Sequence, residues 1–377
     1  MIRKILALCS RDLGHDVMYS QLRHTLIEYG AKHLSWNPLI QEAEREGVAP
    51  LLYKHCKTLD FDIPDQYWRL LQSLYLRNRR SNDIRTSAVC EILYGCDIEK
   101  IDVLIVKGIA LCSFVYSETA FRPMRDIDLL VKKVDLAKAQ KILLELGYVP
   151  DTEHDVPDNY YHLVPMRKTI DGLPISIELH HNLLPFHPQY PLWPLERSYS
   201  SCLELEINST RARTLNLEDT LRYIYLHGFK APLTYEPFRF VHVADIVSVV
   251  EKFVHTIDWQ RIQKEEVNLL NVISCLHVLT PWQKKVSDQL QLNLNVKTSG
   301  PGRPYSGWPH RKLRSVKKRE LPRLAIDTLW PFRWWMQIHY GHLGGPGYWR
   351  ARFFDHPRMV WRWIKAYWFL YRGEKRE

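Results

Sequence analysis

Two aspartates one residue apart, Asp126-Ile127-Asp128, open an apolar run, Leu129-Leu130-Val131. In a strand, residues i and i+2 point to one face with Cα atoms about 6.6 Å apart, so the two carboxylates would repel each other and lose hydration together. Neither has a cation one or two residues away on that face. A divalent cation answers the objection: two Mg²⁺ (or Mn²⁺) ions about 3.5–4 Å apart can share such carboxylates, neutralise phosphate oxygens and activate an attacking hydroxyl. The alternative is that Asp126 caps a helix or turn and Asp128 sits solvated at a strand end. A third carboxylate favours the metal. In Ile175-Ser176-Ile177-Glu178-Leu179-His180, alternation sets Glu178 on the face opposite Ile177 and Leu179, on a second strand able to reach the same place. His180 shares that face and reads more readily as a hydrogen-bonding neighbour of the ligands than as a ligand.

These side chains need a sheet behind them. Val103-Leu104-Ile105-Val106 suits a buried strand with a tight exit at Lys107-Gly108, and residues 109–118 suit a short helix. The Asp126–Val131 strand follows, then an amphipathic helix over 134–146 closed by Gly147. Strands over Tyr160–Arg167 and Ile175–His180 are joined by Asp171-Gly172, a hairpin signal. The expectation is an α+β fold with a mixed sheet. Residues 1–95 read as a helical packing layer, with apolar positions at helical spacing in Leu70, Leu71, Leu74, Leu76 and Ile84, Val89, Ile92, Leu93. Helical periodicity returns from Leu217 to about residue 290, with an N-cap ahead of Thr220 and a second helix over Phe240–Phe253. His227 and Asp245 fall on these helices; a polar pair there usually satisfies a core hydrogen bond, the alternative being a nucleobase or acceptor contact.

The ordered set Val106-Lys107-Gly108, Tyr116, Arg122, Arg125-Asp126-Ile127-Asp128-Leu129-Leu130-Val131 and Ile177-Glu178-Leu179-His180 resembles the DNA polymerase β-like nucleotidyltransferase superfamily. It is most similar to a branch of uncharacterised bacterial nucleotidyltransferases, closely over about 102–181 and more loosely through Leu226-His227, Phe238-Arg239-Phe240 and Ala244-Asp245-Ile246. The resemblance implies transfer of a nucleoside monophosphate from an NTP to a hydroxyl-bearing acceptor, with pyrophosphate leaving. It implies Asp126, Asp128 and Glu178 as catalytic metal ligands and Gly108 and Lys107 as phosphate contacts. Two departures stand out: the usual Gly-Ser or Gly-Gly is a single glycine here, and the third acid is Glu rather than Asp. Arg122 and Arg125 are further cations that can offset a triphosphate. Arg125 directly precedes Asp126 and should point away from it, where a structural ion pair serves equally well. An RNA acceptor, as in toxin members, and a non-catalytic nucleotide-binding protein are the alternatives.

The chain of 377 residues is 46% hydrophobic and 25% charged, ordinary for a globular protein and against disorder or a coiled coil. Seven scattered cysteines without a CxxC give neither a disulfide framework nor a thiolate zinc site, and a reducing, cytoplasmic setting is expected. No apolar stretch approaches the length of a membrane span. The net charge of +10 is concentrated at the end: residues 300–377 hold 17 Lys/Arg, 5 Asp/Glu and 8 of the 13 tryptophans. The expected division is a helical region over 1–95, a catalytic core over 96–185, a helical region over 186–293, a basic Pro/Gly-rich linker over 294–325 and a basic aromatic tail over 326–377. In the tail Val360, Trp361, Ile364, Tyr367, Trp368 and Tyr371 fall at helical spacing beside Arg362, Lys365 and Arg372. That stripe suits packing on the body first, peripheral contact with a membrane second and stacking on single-stranded RNA third.

Overall fold

Two short apolar runs, Val103–Val106 (β1) and Ile127–Val131 (β2), form the buried centre of a sheet in the computed structural model. The structure describes residues 1–33, 35–151, 160–184, 193–230, 239–292, 305, 307–308, 316–341 and 344–373, the side chains of 230 and 366–373 excepted. Five more strands are Val149–Pro150 (β3), Met166–Ile170 (β4), Leu173–His180 (β5), Leu203–Ile207 (β6) and Thr210–Thr214 (β7). Their order is β3-β4-β5-β2-β1-β7-β6. β1 is antiparallel to β2, which is parallel to β5; β7 joins the far side of β1 in parallel. The fold is therefore α+β with a mixed sheet.

Local chemistry explains most of the boundaries. Asp171 and Gly172 take φ of +50° and +76°, the twist a two-residue hairpin turn requires. Gly147, at φ +85°, ends the helix Leu136–Glu145, and the Tyr148 amide folds back to donate to the Leu143 carbonyl at 2.9 Å. The side chain of Asn216 accepts from the Asp219 amide at 2.9 Å and starts the helix Leu217–Tyr225; the next, Phe240–Phe253, falls where periodicity put it. Upstream lie helices Ile2–Cys9, Asp16–Lys32, Asn37–Arg45, Ala49–Thr58 and Asp65–Ile98. Pro50 and Pro64 sit at the starts of the last two, where a missing N–H costs nothing.

Three expectations are corrected. The strand expected over 160–167 begins only at Met166, because Pro165 has no N–H to give the ladder; ahead of it only His162 bridges to His180. Residues 133–135 form a 3₁₀ turn before the helix. The segment 186–293, expected to be helical, contains the β6–β7 hairpin, whose turn residues Asn208 and Ser209 take positive φ.

Alternation splits the core. Val103, Ile105, Ile127, Leu129 and Ile177 face the helices Asp65–Ile98 and Leu136–Glu145. Leu104, Val106 and Leu130 face a second core, made with the N-terminal helices and those following β7. That core also takes in Trp334, Trp335 and Trp363 from the end of the chain, where helices Leu321–Leu329, Arg333–Tyr340, Gly345–Arg350 and His356–Gly373 follow one another. The first of these begins on ground expected to be linker; most of that linker, Ser299–Gly302 included, lies outside the described residues, as do the side chains of Tyr367, Trp368, Tyr371 and Arg372. Among the described residues no helix is long and apolar enough to cross a membrane.

Candidate active site

The register of the central strands assembles the site. Val106 at the end of β1 stands opposite Asp128 in β2, and the next residue, Lys107, takes φ +53° as the first residue of the helix Lys107–Phe114. A left-handed conformation is costly for a residue bearing a Cβ, on the order of 1–3 kcal/mol. Here it accompanies an ion pair: Lys107 Nζ lies 2.6 Å from Asp128 Oδ1. The cation that local sequence did not offer Asp128 comes from the residue that follows the neighbouring strand. Gly108 is needed for packing, since a Cβ there would come within 2.7 Å of Arg122 Nη1 and 2.8 Å of Met124 Cγ.

On the other side of β2, parallel pairing sets Asp128 beside Glu178 and Leu130 beside His180. Asp128 is 1% exposed, so it is not a solvated strand end. His180 Nε2 lies 2.9 Å from Asp128 Oδ1 and 3.2 Å from Glu178 Oε2, donating one N–H to both carboxylates. Ligand-capable atoms of Asp128, Glu178 and His180 all fall within 4.8 Å of one another. Burial pushes the carboxyl of Asp128 up, but Lys107 and the His180 bond outweigh it and hold it well below the carboxylate range. Glu178 is also held low, chiefly by His180 acting against burial, and the two bonds hold His180 above its ordinary value.

Asp126, half-buried just ahead of β2, is the contrasting case. Burial, then the charge of Asp128, pushes it up to about 6; Glu178 adds to the rise, and Lys107 and Arg122 offset it only in part. Asp128 and Glu178 thus meet one imidazole, with the ammonium of Lys107 on Asp128. Asp126 feels their charges but is not among the side chains whose ligand atoms gather within 4.8 Å, a group that His180 completes instead. Hard oxygen donors short of positive charge fit a divalent cation such as Mg²⁺ or Mn²⁺.

Arg122, expected to meet a phosphate or an acidic partner, pairs with a carboxylate of its own chain. Its Nη2 lies 2.9 Å from Asp245 Oδ2 and its Nε 3.2 Å from Oδ1, and Tyr116 donates its hydroxyl to Oδ1 at 2.7 Å. This buried cluster ties the segment before β2 to the helix Phe240–Phe253, giving Asp245 the core role foreseen for it. Asn82, buried in the long helix Asp65–Ile98, braces the same segment by donating to the carbonyls of Thr119 and Arg122 at 2.7 and 2.9 Å. Arg125 is exposed.

The facing wall is aromatic. The Tyr223 ring centre is 5.9 Å from Lys107 Nζ, and a π-helical turn, Leu226–Lys230, carries His227 to 6.1 Å from Tyr223 and 5.9 Å from His242, ring to ring. A Cβ on Gly228 would come within 2.8 Å of His242 Cβ, so glycine lets this turn lie on the next helix. Burial pushes His242 down to about 4 and His227 well below the ordinary imidazole, leaving both neutral. Sequence reasoning missed Asn82, Tyr223 and His242. The signal for the last was His242 and Asp245 at i, i+3 in the otherwise apolar run Phe240–Val247.

The model of a family described as uncharacterised nucleotidyltransferase matches residues 32–280, about two thirds of the chain. The chain belongs to this nucleotidyltransferase family. The match spans β1 through β7 and both helices of the aromatic wall. No curated protein matches. Among solved structures, an antigenic nucleotidyltransferase-like protein from Paracoccidioides brasiliensis is similar at 17% identity and a TM-score of 0.39, over 55% of this chain and 92% of that one. The antibiotic-resistance factor ANT(2'')-Ia is similar at 15% identity and a TM-score of 0.31, over 45% and 85%; its complex with adenylyl-2''-tobramycin gives 14% and 0.33, over 49% and 97%. The activity that belongs to the family is nucleotidyl transfer.

Proposed function

We propose that this nucleotidyltransferase moves a nucleoside monophosphate from an NTP to a hydroxyl of its acceptor, with Mg²⁺ or Mn²⁺ held by Asp126, Asp128 and Glu178. The observation that carries the reading is the meeting of Asp128, Glu178 and Lys107 at the centre of the sheet, beside an Asp126 whose carboxyl burial and like charge push up to about 6. The bound cation would supply neutralisation of phosphate oxygens and polarisation of the acceptor hydroxyl. In the transfer the acceptor oxygen bonds to the α-phosphorus, the bond from that phosphorus to the α–β bridging oxygen breaks, and pyrophosphate leaves. The acceptor proton passes to Glu178 or to water: Glu178 is held ionised, and its side chain is 20% exposed against 1% for Asp128. Lys107 supplies the ammonium for phosphate oxygens at the exit of β1. His180 fixes the two strand carboxylates relative to each other, and the Arg122–Asp245 pair holds the frame.

The test is incubation with each labelled NTP, Mg²⁺ or Mn²⁺ and fractionated cell extract. Label should pass to an acceptor fraction with pyrophosphate released, and an Asp126→Asn/Asp128→Asn variant should transfer none. Thermal melting is the second arm. If no Mg²⁺–NTP pair among the four nucleotides raises the midpoint of the wild-type protein, the reading is wrong.

A further inference from the structure

The last helices bury one aromatic face and expose another. Tyr348, Ala351, Arg352, His356, Val360 and Trp363 point inward along the run from Gly345 onward. His356 is bonded on both nitrogens, at 2.8 Å to the Tyr340 hydroxyl and 2.7 Å to the Thr328 carbonyl, and Arg352 donates to the Pro331 carbonyl at 2.7 Å. The run is thus pinned in place. Its outer face carries Trp349, Phe353, Phe354, Trp361 and Ile364, Phe353 and Phe354 lying in the π-helical turn Ala351–Asp355. Trp330, from the end of helix Leu321–Leu329, joins them: its ring lies 5.8 Å from that of Phe353, which lies 5.8 Å from Trp349. Among the described residues, every exposed Trp and every exposed Phe belongs to this group.

Charge follows the same pattern. Between residues 317 and 365 nine cations are exposed, Arg350, Arg358, Arg362 and Lys365 on the outer face itself, and no described Asp or Glu is. Glu320 and Asp355 are half-buried and Asp327 is buried.

We infer that this face seats the enzyme on an anionic phospholipid bilayer. Rings and aliphatic side chains would enter the boundary between headgroups and acyl chains, while the cations beside them reach the lipid phosphates. The face does not suit a second copy of the chain, since a symmetric contact would set like charges against each other. It does not suit RNA as well, because exposed Ile326, Leu329 and Ile364 have no π-face on which a base could stack. The helices lie on the surface rather than span it. The inference is independent of the nucleotidyl-transfer mechanism.

The experiment is flotation of the full-length protein with vesicles of phosphatidylcholine alone and with about a third phosphatidylglycerol added. Binding is expected only to the anionic vesicles, weakening as salt rises. Trp349→Ser/Phe353→Ser/Trp361→Ser should lose binding at least about tenfold without a lower melting midpoint, since all three are exposed. Arg350→Gln/Arg358→Gln/Arg362→Gln/Lys365→Gln should lose the preference for anionic lipid. Should the aromatic variant melt early, brominated acyl chains still decide, because they should quench the tryptophan emission of the wild-type protein. Failure to float with anionic vesicles, no quenching, or binding to single-stranded RNA in place of vesicles would each overturn the inference.

Discussion

Lys107 and Asp126 stand at opposite electrostatic extremes of one site. The ammonium of Lys107 lies on Asp128, so it competes with any cation bound there. Lys107→Met should therefore split two measurements. Terbium luminescence should report metal binding at least about tenfold tighter, a difference of ~1.4 kcal/mol. Turnover should fall about 100-fold or more, because a preorganised charge facing the phosphates is gone. Equal metal affinity would mean that Lys107 does not guard Asp128. The aspartates should also separate. Asp126→Asn removes a carboxyl that burial and like charge already push up to about 6, so its melting midpoint should match or exceed the wild type. Asp128→Asn strips the partner from Lys107, whose side chain is only 14% exposed, and should cost on the order of 3 kcal/mol. Both should lose transfer. The pairing that divides them was invisible locally, because Lys107 lies 21 residues from Asp128 and only the β1–β2 register brings them together. The alternation around Glu178 was legible because it is a period-two pattern within a single strand, whereas the Asp-x-Asp straddles a strand start, β2 beginning at Ile127.

At the scale of elements, the frame around the site depends on a contact 123 residues long, Arg122 to Asp245. Asp245→Asn should destabilise the protein by about 3 kcal/mol, since Arg122, its side chain only 14% exposed, would be left without its counter-charge. Replacing both, Arg122→Met with Asp245→Leu, should recover a large part of that loss in urea unfolding. If the double variant were as unstable as the sum of the singles, the pair would not be the tie between the sheet and the helix Phe240–Phe253. No sequence window held both partners, so Arg122 read as a cation for a phosphate or for an acidic partner that could not be named. The hairpin β6–β7 escaped for a different reason. Leu203-Glu204-Leu205-Glu206-Ile207 does alternate, but it lacks the Gly that marked Asp171-Gly172, and Asn208 and Ser209 took the turn instead. β1, β2, the closing Gly147 and the helix Phe240–Phe253 were readable because each carries its own signal of period, cap or turn.

For the molecule as a whole, acid sensitivity should arise in part far from the carboxylates, adding to that of His227 and His242 beside them. His55 donates from Nε2 to the Arg11 carbonyl at 2.9 Å and accepts the Tyr19 hydroxyl at 3.2 Å; His356 is bonded in the same manner near the end of the chain. Burial pushes both down to about 4, so each is neutral in the folded protein. Depressed imidazoles stabilise the fold above their unfolded value near 6.5, and that contribution is lost as pH falls toward 4. Each accounts for up to about 3 kcal/mol over that window. Melting midpoints taken from pH 7 down to 4 should fall steadily. His55→Gln/His356→Gln, though less stable at pH 7, should fall by less. A wild-type midpoint flat across that range would rule out this origin.

The parallel partnership of β1 with β7 has a consequence for how the chain is made. Thr214 Oγ1 donates to the Ile105 carbonyl across 109 residues, so β1 has no neighbour on that side until β7 has been synthesised. At about 5–20 residues per second, a translating ribosome takes roughly 5–20 s to cover that distance. Throughout that interval the nascent sheet presents Ile105 and the rest of β1 as an open apolar edge, the kind of edge that pairs with other chains. Translation beyond Thr214 closes it, and a ribosome stalled between β5 and β6 would leave it open.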